Sequence, residues 1–269
     1  MKKKSKFLKV LKQEYKMSMS YELSHVSKFI ASAVGGIIST ILFSMLWFTS
    51  TKLGYDGLSK EYVISYFFLV LITSKLTMDV SIKLVTDSIV TGRFSKYLTK
   101  PFSYLTEAVG ANLAEQTLHT IFALPVIILG AFLLRDYLSY DLTPYTIFLF
   151  LCSIVIANAI KFLMAQIFSL IAFTVKQMYG FRNLHQNLVV VFSGEIIPYA
   201  ALPAVFASVL ELTPFRYVLS FPVEILLGGM RPYDINTGFL IAGIWTIFLY
   251  LIYKIGYILS VKKYEAEGI

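Results

Sequence analysis

Four polar side chains in a long apolar run, Asn112, Glu115, Gln116 and His119, recur at i, i+3, i+4 and i+7. That spacing puts a carboxylate, two amides and an imidazole on one face of a helix. Such a stripe can relay protons or line a polar path, or it can lock neighbouring helices together by hydrogen bonds. Locking is the preferred reading. Lipid satisfies none of these groups, so the stripe must face protein or water. Lys161 and Glu195 are the other ionisable groups at membrane depth. At 1.5 Å per residue they lie roughly 20 Å and 14 Å from the inner ends of their apolar runs. Similar depth makes a Lys161–Glu195 ion pair reasonable, since pairing offsets the desolvation of both charges. Lys75 and Asp79, at i, i+4, are expected to form a weaker local pair. Glu115, His119 and Glu195 would also be the acid/base groups of an intramembrane peptidase or lipid transferase, the alternative chemistry. A stand-alone carrier or scaffold is a third reading. His25, His119, His185 and the lone Cys152 are scattered, which argues against a metal site and excludes an internal disulfide.

A second constellation is DSIVTGRFSKYLTKPFSYL, residues 87–105. On a helix, Val90, Phe94, Tyr97 and Pro101 follow i, i+4, i+7, i+11, while Arg93, Lys96 and Lys100 line the neighbouring strip. Gly92 interrupts the pattern and Pro101 limits it. A plain connector needs only a short polar turn. This amphipathic, basic element fits either a helix lying on the membrane surface or a docking site for a partner inside the cell.

The elements that must carry these residues are apolar runs long enough to cross a bilayer, since ~20 helical residues match its ~30 Å hydrocarbon core. They are Phe29–Thr51, Tyr62–Val80, Val109–Leu134, Tyr145–Thr174, Leu188–Leu210 and Gly238–Ser260. A mean hydropathy of +0.70, with 57% hydrophobic and 15% charged residues in 269, agrees. The stretch 214–232 is apolar too, but Pro214, Pro222, Gly228, Gly229 and Pro232 break it, so short surface helices are expected there. Eighteen of the 24 Lys and Arg fall at the two termini, the 75–108 segment and the 174–187 loop. Only Lys52, Lys60, Arg135, Arg216 and Arg231 fall on the other side. Positive charge marks the cytoplasmic face, so both termini are read as cytoplasmic. The net charge of +8 thus reflects topology and anionic headgroups rather than nucleic acid. The expected layout is all-α: an amphipathic cytoplasmic segment 1–28, one six-helix membrane domain 29–260, and a short tail 261–269. In the first segment Phe7, Leu8, Leu11 and Tyr15 form an apolar stripe, with Lys9, Lys12 and Lys16 on another side, as in an interfacial helix. Gly35-Gly36 in the first span would permit a close helix contact, as in a dimer.

The run VTGRFSKYLTKPFSYL resembles the Gly-basic-x-x-x-x-Leu-x-Lys/Arg-Pro signature after the second span of ABC-2-type transporter permeases. The run SGEIIPYAALPAVFASVLELTPFRYVLSFPVEILLGG resembles that family's fifth span and extracellular segment, and the six-span layout agrees. The resemblance implies the membrane half of an ATP-driven exporter, a permease dimer, homo- or heteromeric, with two ATP-binding cassette subunits in a bacterial cytoplasmic membrane. It implies that Thr91, Gly92, Arg93, Lys96, Lys100 and Pro101 sit in a coupling element on the ATPase. It also implies that Pro198, Pro203, Pro214 and Pro222 shape re-entrant extracellular hairpins. Glu195 stands where the family pattern is usually uncharged. The chain holds no Gly-x-x-x-x-Gly-Lys-Ser/Thr loop, so ATP and magnesium are expected on the partner and no cofactor on this chain.

Overall fold

The computed structural model describes residues 2–52, 58–77, 82–99 and 104–262. Its helices are α1 (Lys2–Leu23), α2 (Val26–Lys52), α3 (Lys60–Leu76), α4 (Lys83–Val90), α5 (Ser95–Thr99), α6 (Tyr104–Leu133), α7 (Pro144–Ser169), α8 (Tyr179–Phe192), α9 (Ala204–Glu211), α10 (Ser220–Leu227) and α11 (Pro232–Val261). Tighter 3₁₀ turns occupy Leu170–Phe173, Tyr199–Ala201 and Arg216–Val218, and no strand occurs among the described residues. Asp79, Lys100, Pro101 and the tail 263–269 lie outside them.

Several helix starts follow local signals. Ser59 Oγ accepts from Tyr62 N at 3.1 Å to open α3. Thr143 Oγ1 accepts from Thr146 N at 3.2 Å ahead of Pro144 in α7. Pro232 opens α11 in the same way. Among the described residues, four helices are long and apolar enough by themselves to cross a membrane: Val26–Trp47, Tyr104–Leu133, Pro144–Phe173 and Pro232–Val261. Their outer faces carry exposed apolar residues such as Ile38, Leu42, Ile128, Val155, Ile247 and Leu251. That is the expected surface of a helix solvated by lipid.

The two remaining expected spans differ from the long four. α3 has 17 residues and is the hub of the bundle, packed against α2, α6 and α10 with Tyr66, Phe67, Phe68 and Leu69 buried. The apolar run 188–210 does not form one helix. α8 starts earlier, at Tyr179, and ends at Phe192. Gly194 then takes φ +91°, a conformation that suits glycine. The freed carbonyls are met from inside the bundle: Tyr66 Oη donates to Gly194 O at 2.6 Å, and Ser220 N donates to Ser193 O at 3.0 Å. Past the break, Pro198 and Pro203 start a 3₁₀ turn and α9.

The helix α1 lies along α6 in a close approach that Gly110 permits. A β-carbon there would stand 2.9 Å from Glu14 Cβ and 3.2 Å from Leu11 O. Leu11 and Tyr15 therefore turn toward α6 while Leu8 stays exposed, so the expected apolar stripe is divided between protein and surroundings. Gly36 likewise faces α3 of its own chain, where a β-carbon would be 2.7 Å from Leu71 Cδ1, whereas Gly35 faces open space.

Candidate functional site

On the basic side, the described part of the 87–105 element, residues 87–99 and 104–105, is a folded knuckle rather than one helix. Gly92 at φ 73° ends α4, and the chain turns so that Phe94 N donates to Ser88 O at 2.8 Å. Of the apolar stripe read there, Val90 is exposed while Phe94 and Tyr97 are buried, and Pro101 lies outside the described residues. The reason is the left-handed glycine, which shifts the helical phase between positions 90 and 94. Phe94 is 0% exposed. Its ring meets Phe173 edge-on at 5.1 Å, Tyr104 at 5.4 Å and Tyr257 at 6.5 Å, centroid to centroid. Those partners sit in the 3₁₀ turn after α7, at the start of α6 and near the end of α11, and Tyr253 Oη donates to Tyr104 Oη at 2.6 Å. Thr91, Arg93, Ser95, Lys96 and Leu98 form the exposed side of the knuckle. Arg93 Nε donates to Thr91 Oγ1 at 3.0 Å, and Lys96 Nζ lies 3.0 Å from Glu107 Oε1 and 4.5 Å from the Tyr97 ring centroid. Partial burial pulls the Lys96 pKa down, but Tyr97 and Glu107 outweigh it and hold the ammonium above its ordinary value.

Within the bundle, a polar cavity of about 370 Å³ lies between α2, α3, α6, α7 and α8. Four of the six polar residues singled out at membrane depth, Gln116, His119, Lys161 and Glu195, line it together with Ser32, Ser74, Lys75, Thr77 and His185. Glu115 does not. It points into a separate groove between α1 and α6, where Lys28 bridges Glu115 and, at 3.1 Å, Glu22. Asn112 Nδ2 donates to Ala108 O of its own helix at 2.7 Å. Gln116 Nε2 donates to Leu76 O, which also accepts from Asn158 Nδ2 at 3.2 Å, and Thr120 Oγ1 donates to Lys75 O at 2.8 Å. Side chains of α6 and α7 thus satisfy the carbonyls that α3 leaves open at its C-terminal end. Lys75 Nζ donates to Ser32 O at 3.1 Å and Ser32 Oγ at 2.9 Å. Lys161 and Glu195 share the cavity but are not within ion-pair distance; Lys161 is in no ion pair among the described residues. They reach this cavity from different elements, Lys161 on α7 and Glu195 in the turn beyond the end of α8 at Phe192.

On the far side, Pro198, Pro203, Pro214 and Pro222 occupy the turns and first turns of a broken hairpin. Its α9 limb buries nothing, whereas α10 is packed against α3 and α7. Arg216 holds it: Nη2 lies 2.6 Å from Glu224 Oε2 and Nη1 3.2 Å from Glu211 Oε1. Ser220 Oγ donates to Glu224 Oε1 at 2.8 Å, and Trp47 Nε1 donates to Ile196 O at 3.0 Å. Sequence reasoning missed Glu224, Lys28, Asn158 and the role of Arg216. Only the i, i+4 spacing of Ser220 and Glu224 was a local signal.

Long apolar helices around a charged internal chamber, with a basic knuckle at one end, define an all-helical, multi-pass membrane protein. The family model described as ABC-2 family transporter protein matches residues 22–268, and the chain belongs to that family. It is accordingly a membrane permease subunit of an ABC transporter, a transport subunit that is not itself catalytic. No curated protein and no solved structure matches the chain.

Proposed function

We propose that this permease works in an ATP-driven exporter, with both termini in the cytoplasm and six crossings made by α2, α3, α6, α7, α8 and α11. Two permeases, identical or different, would pair with two ATP-binding cassette subunits, which carry ATP and magnesium. Closure of those subunits pushes on the 87–105 knuckle, and the bundle rearranges to move cargo outward. The observation that carries this reading is Phe94, a buried plug beneath an exposed basic surface. A force on Arg93 and Lys96 passes through one ring to the inner ends of α6, α7 and α11. Packed aromatic contacts transmit displacement because interiors are close-packed and do not deform smoothly. Thr91, Gly92, Arg93, Lys96, Lys100 and Pro101 are the proposed contact set.

The test is affinity purification of the full chain in mild detergent, with co-eluting proteins identified and their ATPase activity measured. Co-elution of an ATP-binding cassette subunit that Arg93→Glu with Lys96→Glu releases supports the reading. An ATPase that stays bound to the double variant removes the knuckle from the coupling path.

A further inference from the structure

Two contacts on α6 fix how α1 is rotated about its own axis. Glu14 Cβ stands 2.9 Å from the place a β-carbon on Gly110 would take. The next residue, Tyr15, donates from Oη to Thr117 Oγ1 at 3.3 Å. Thr117 lies roughly 10 Å further along α6 than Gly110 at 1.5 Å per residue, away from the knuckle and toward the bilayer interior. Neighbouring side chains of α1 thus leave the contact in opposite directions, Tyr15 toward the bilayer and Glu14 away from it.

The two sides differ in charge. Glu14 and Glu22 line a cavity of about 520 Å³ with Glu107 and Glu115 of α6, and Lys28 bridges Glu22 and Glu115. No acid precedes Glu14 in the sequence. On the other side, Leu8, Lys12, Met19 and Leu23 stand at i−7, i−3, i+4 and i+8 from Tyr15 and so share its face. Leu8 and Leu23 are exposed. Lys9 and Lys16, one turn to either side of Lys12, continue a basic edge along that face. All three lysines are exposed and make no ion pair among the described residues. The acids of α1 are therefore turned into a protein groove, while its lysines border an apolar face on the bilayer side. Such a face seats among headgroups, with lysine stems in the acyl boundary and ammonium groups at the phosphates.

Resting on the orientation proposed above, which puts the knuckle side in the cytoplasm, we propose that α1 is a binding site for anionic phospholipid of the inner leaflet. Leu8, Met19 and Leu23 contact the upper acyl chains, and Lys9, Lys12 and Lys16 contact the headgroup phosphates. The packing on α6 makes the site selective: any other rotation would bring Glu14 and Glu22 against the same phosphates. Each lysine at an anionic surface is worth about fivefold in binding.

The test titrates the full-length chain in neutral detergent with phosphatidylglycerol or phosphatidylcholine and counts bound lipid by native mass spectrometry. Phosphatidylglycerol should bind more tightly, and added salt should narrow the difference. Joint Lys9→Gln, Lys12→Gln and Lys16→Gln should weaken phosphatidylglycerol binding about tenfold or more, and arginine at the same three positions should keep it. Depth is read in nanodiscs containing phosphatidylglycerol, with Cys152 replaced. A spin label at Leu8→Cys should be relaxed more by oxygen than by a water-soluble nickel chelate, and one at Gln13→Cys the reverse. Unchanged phosphatidylglycerol binding in the glutamine variant overturns the assignment, as does a Leu8 label that the chelate reaches as readily as the Gln13 label. Unchanged lipid binding together with loss of a co-purifying ATPase would give the lysines to a protein surface instead. Neither measurement needs an ATPase or a known orientation, so failure here is distinct from failure of the permease reading.

Discussion

Single side chains do unequal amounts of structural work in this bundle. Phe94 fills a pocket made by three other elements, so Phe94→Ala leaves a cavity where packing was complete. Such truncations cost about 3–5 kcal/mol, more than a surface change at the neighbouring Arg93 would. The expected outcome is a lower melting temperature in detergent and loss of ATPase stimulation, with Phe94→Leu intermediate. Arg216 is the second such residue. Its guanidinium bridges two limbs of the outer hairpin, and removing one partner of a mostly buried pair costs on the order of 3 kcal/mol. A double-mutant cycle of Arg216→Gln and Glu224→Gln, read by thermal unfolding, should give a coupling energy of at least about 1 kcal/mol. Additive losses would mean that the two side chains act separately. Lys96 behaves differently, being largely exposed. Its pKa is raised, so its contact with Glu107 is present at neutral pH and is lost as pH rises through that raised value.

At the scale of elements, two glycines set how helices meet. Gly110 lets α1 lie against α6 at backbone distance, and a leucine there would collide with Leu11 and Glu14. Gly110→Leu should free α1, seen as faster hydrogen exchange over residues 2–23 while α7 and α11 are unchanged. Uniform exchange rates across wild type and variant would argue that α1 is held by lipid instead. Gly194 ends α8 at a positive φ beside Tyr66 and Ser220. The composition of the 188–210 run is apolar throughout and reads as one span. Its hydropathy carries no record of the carbonyl acceptors that Tyr66 and Ser220 satisfy from distant positions. The knuckle shows the same contrast. Gly92 was legible as an interruption and Phe94 as part of an apolar stripe, but Val90 left that stripe once the helix turned.

For the whole molecule, topology is the property most open to direct test. Eighteen of the 24 Lys and Arg sit on the side read as cytoplasmic. In a background with Cys152 replaced, a membrane-impermeant thiol reagent should label Asp136→Cys on intact cells and Arg93→Cys only after permeabilisation. The reverse pattern would invert the proposed orientation. What the amino-acid order determined alone was the membrane class, the long apolar helices, the family signature and the short list of polar residues too costly to leave in lipid. Those properties are local and additive, because hydropathy and helical period need no neighbour to be expressed. Only the tertiary structure decided which polar groups share a chamber, that Glu115 meets Lys28 in a groove outside it, and that Lys161 and Glu195 line one cavity without ion pairing. Those outcomes depend on helix rotation and on how closely backbones approach, and contacts between residues 40 to 154 positions apart set both.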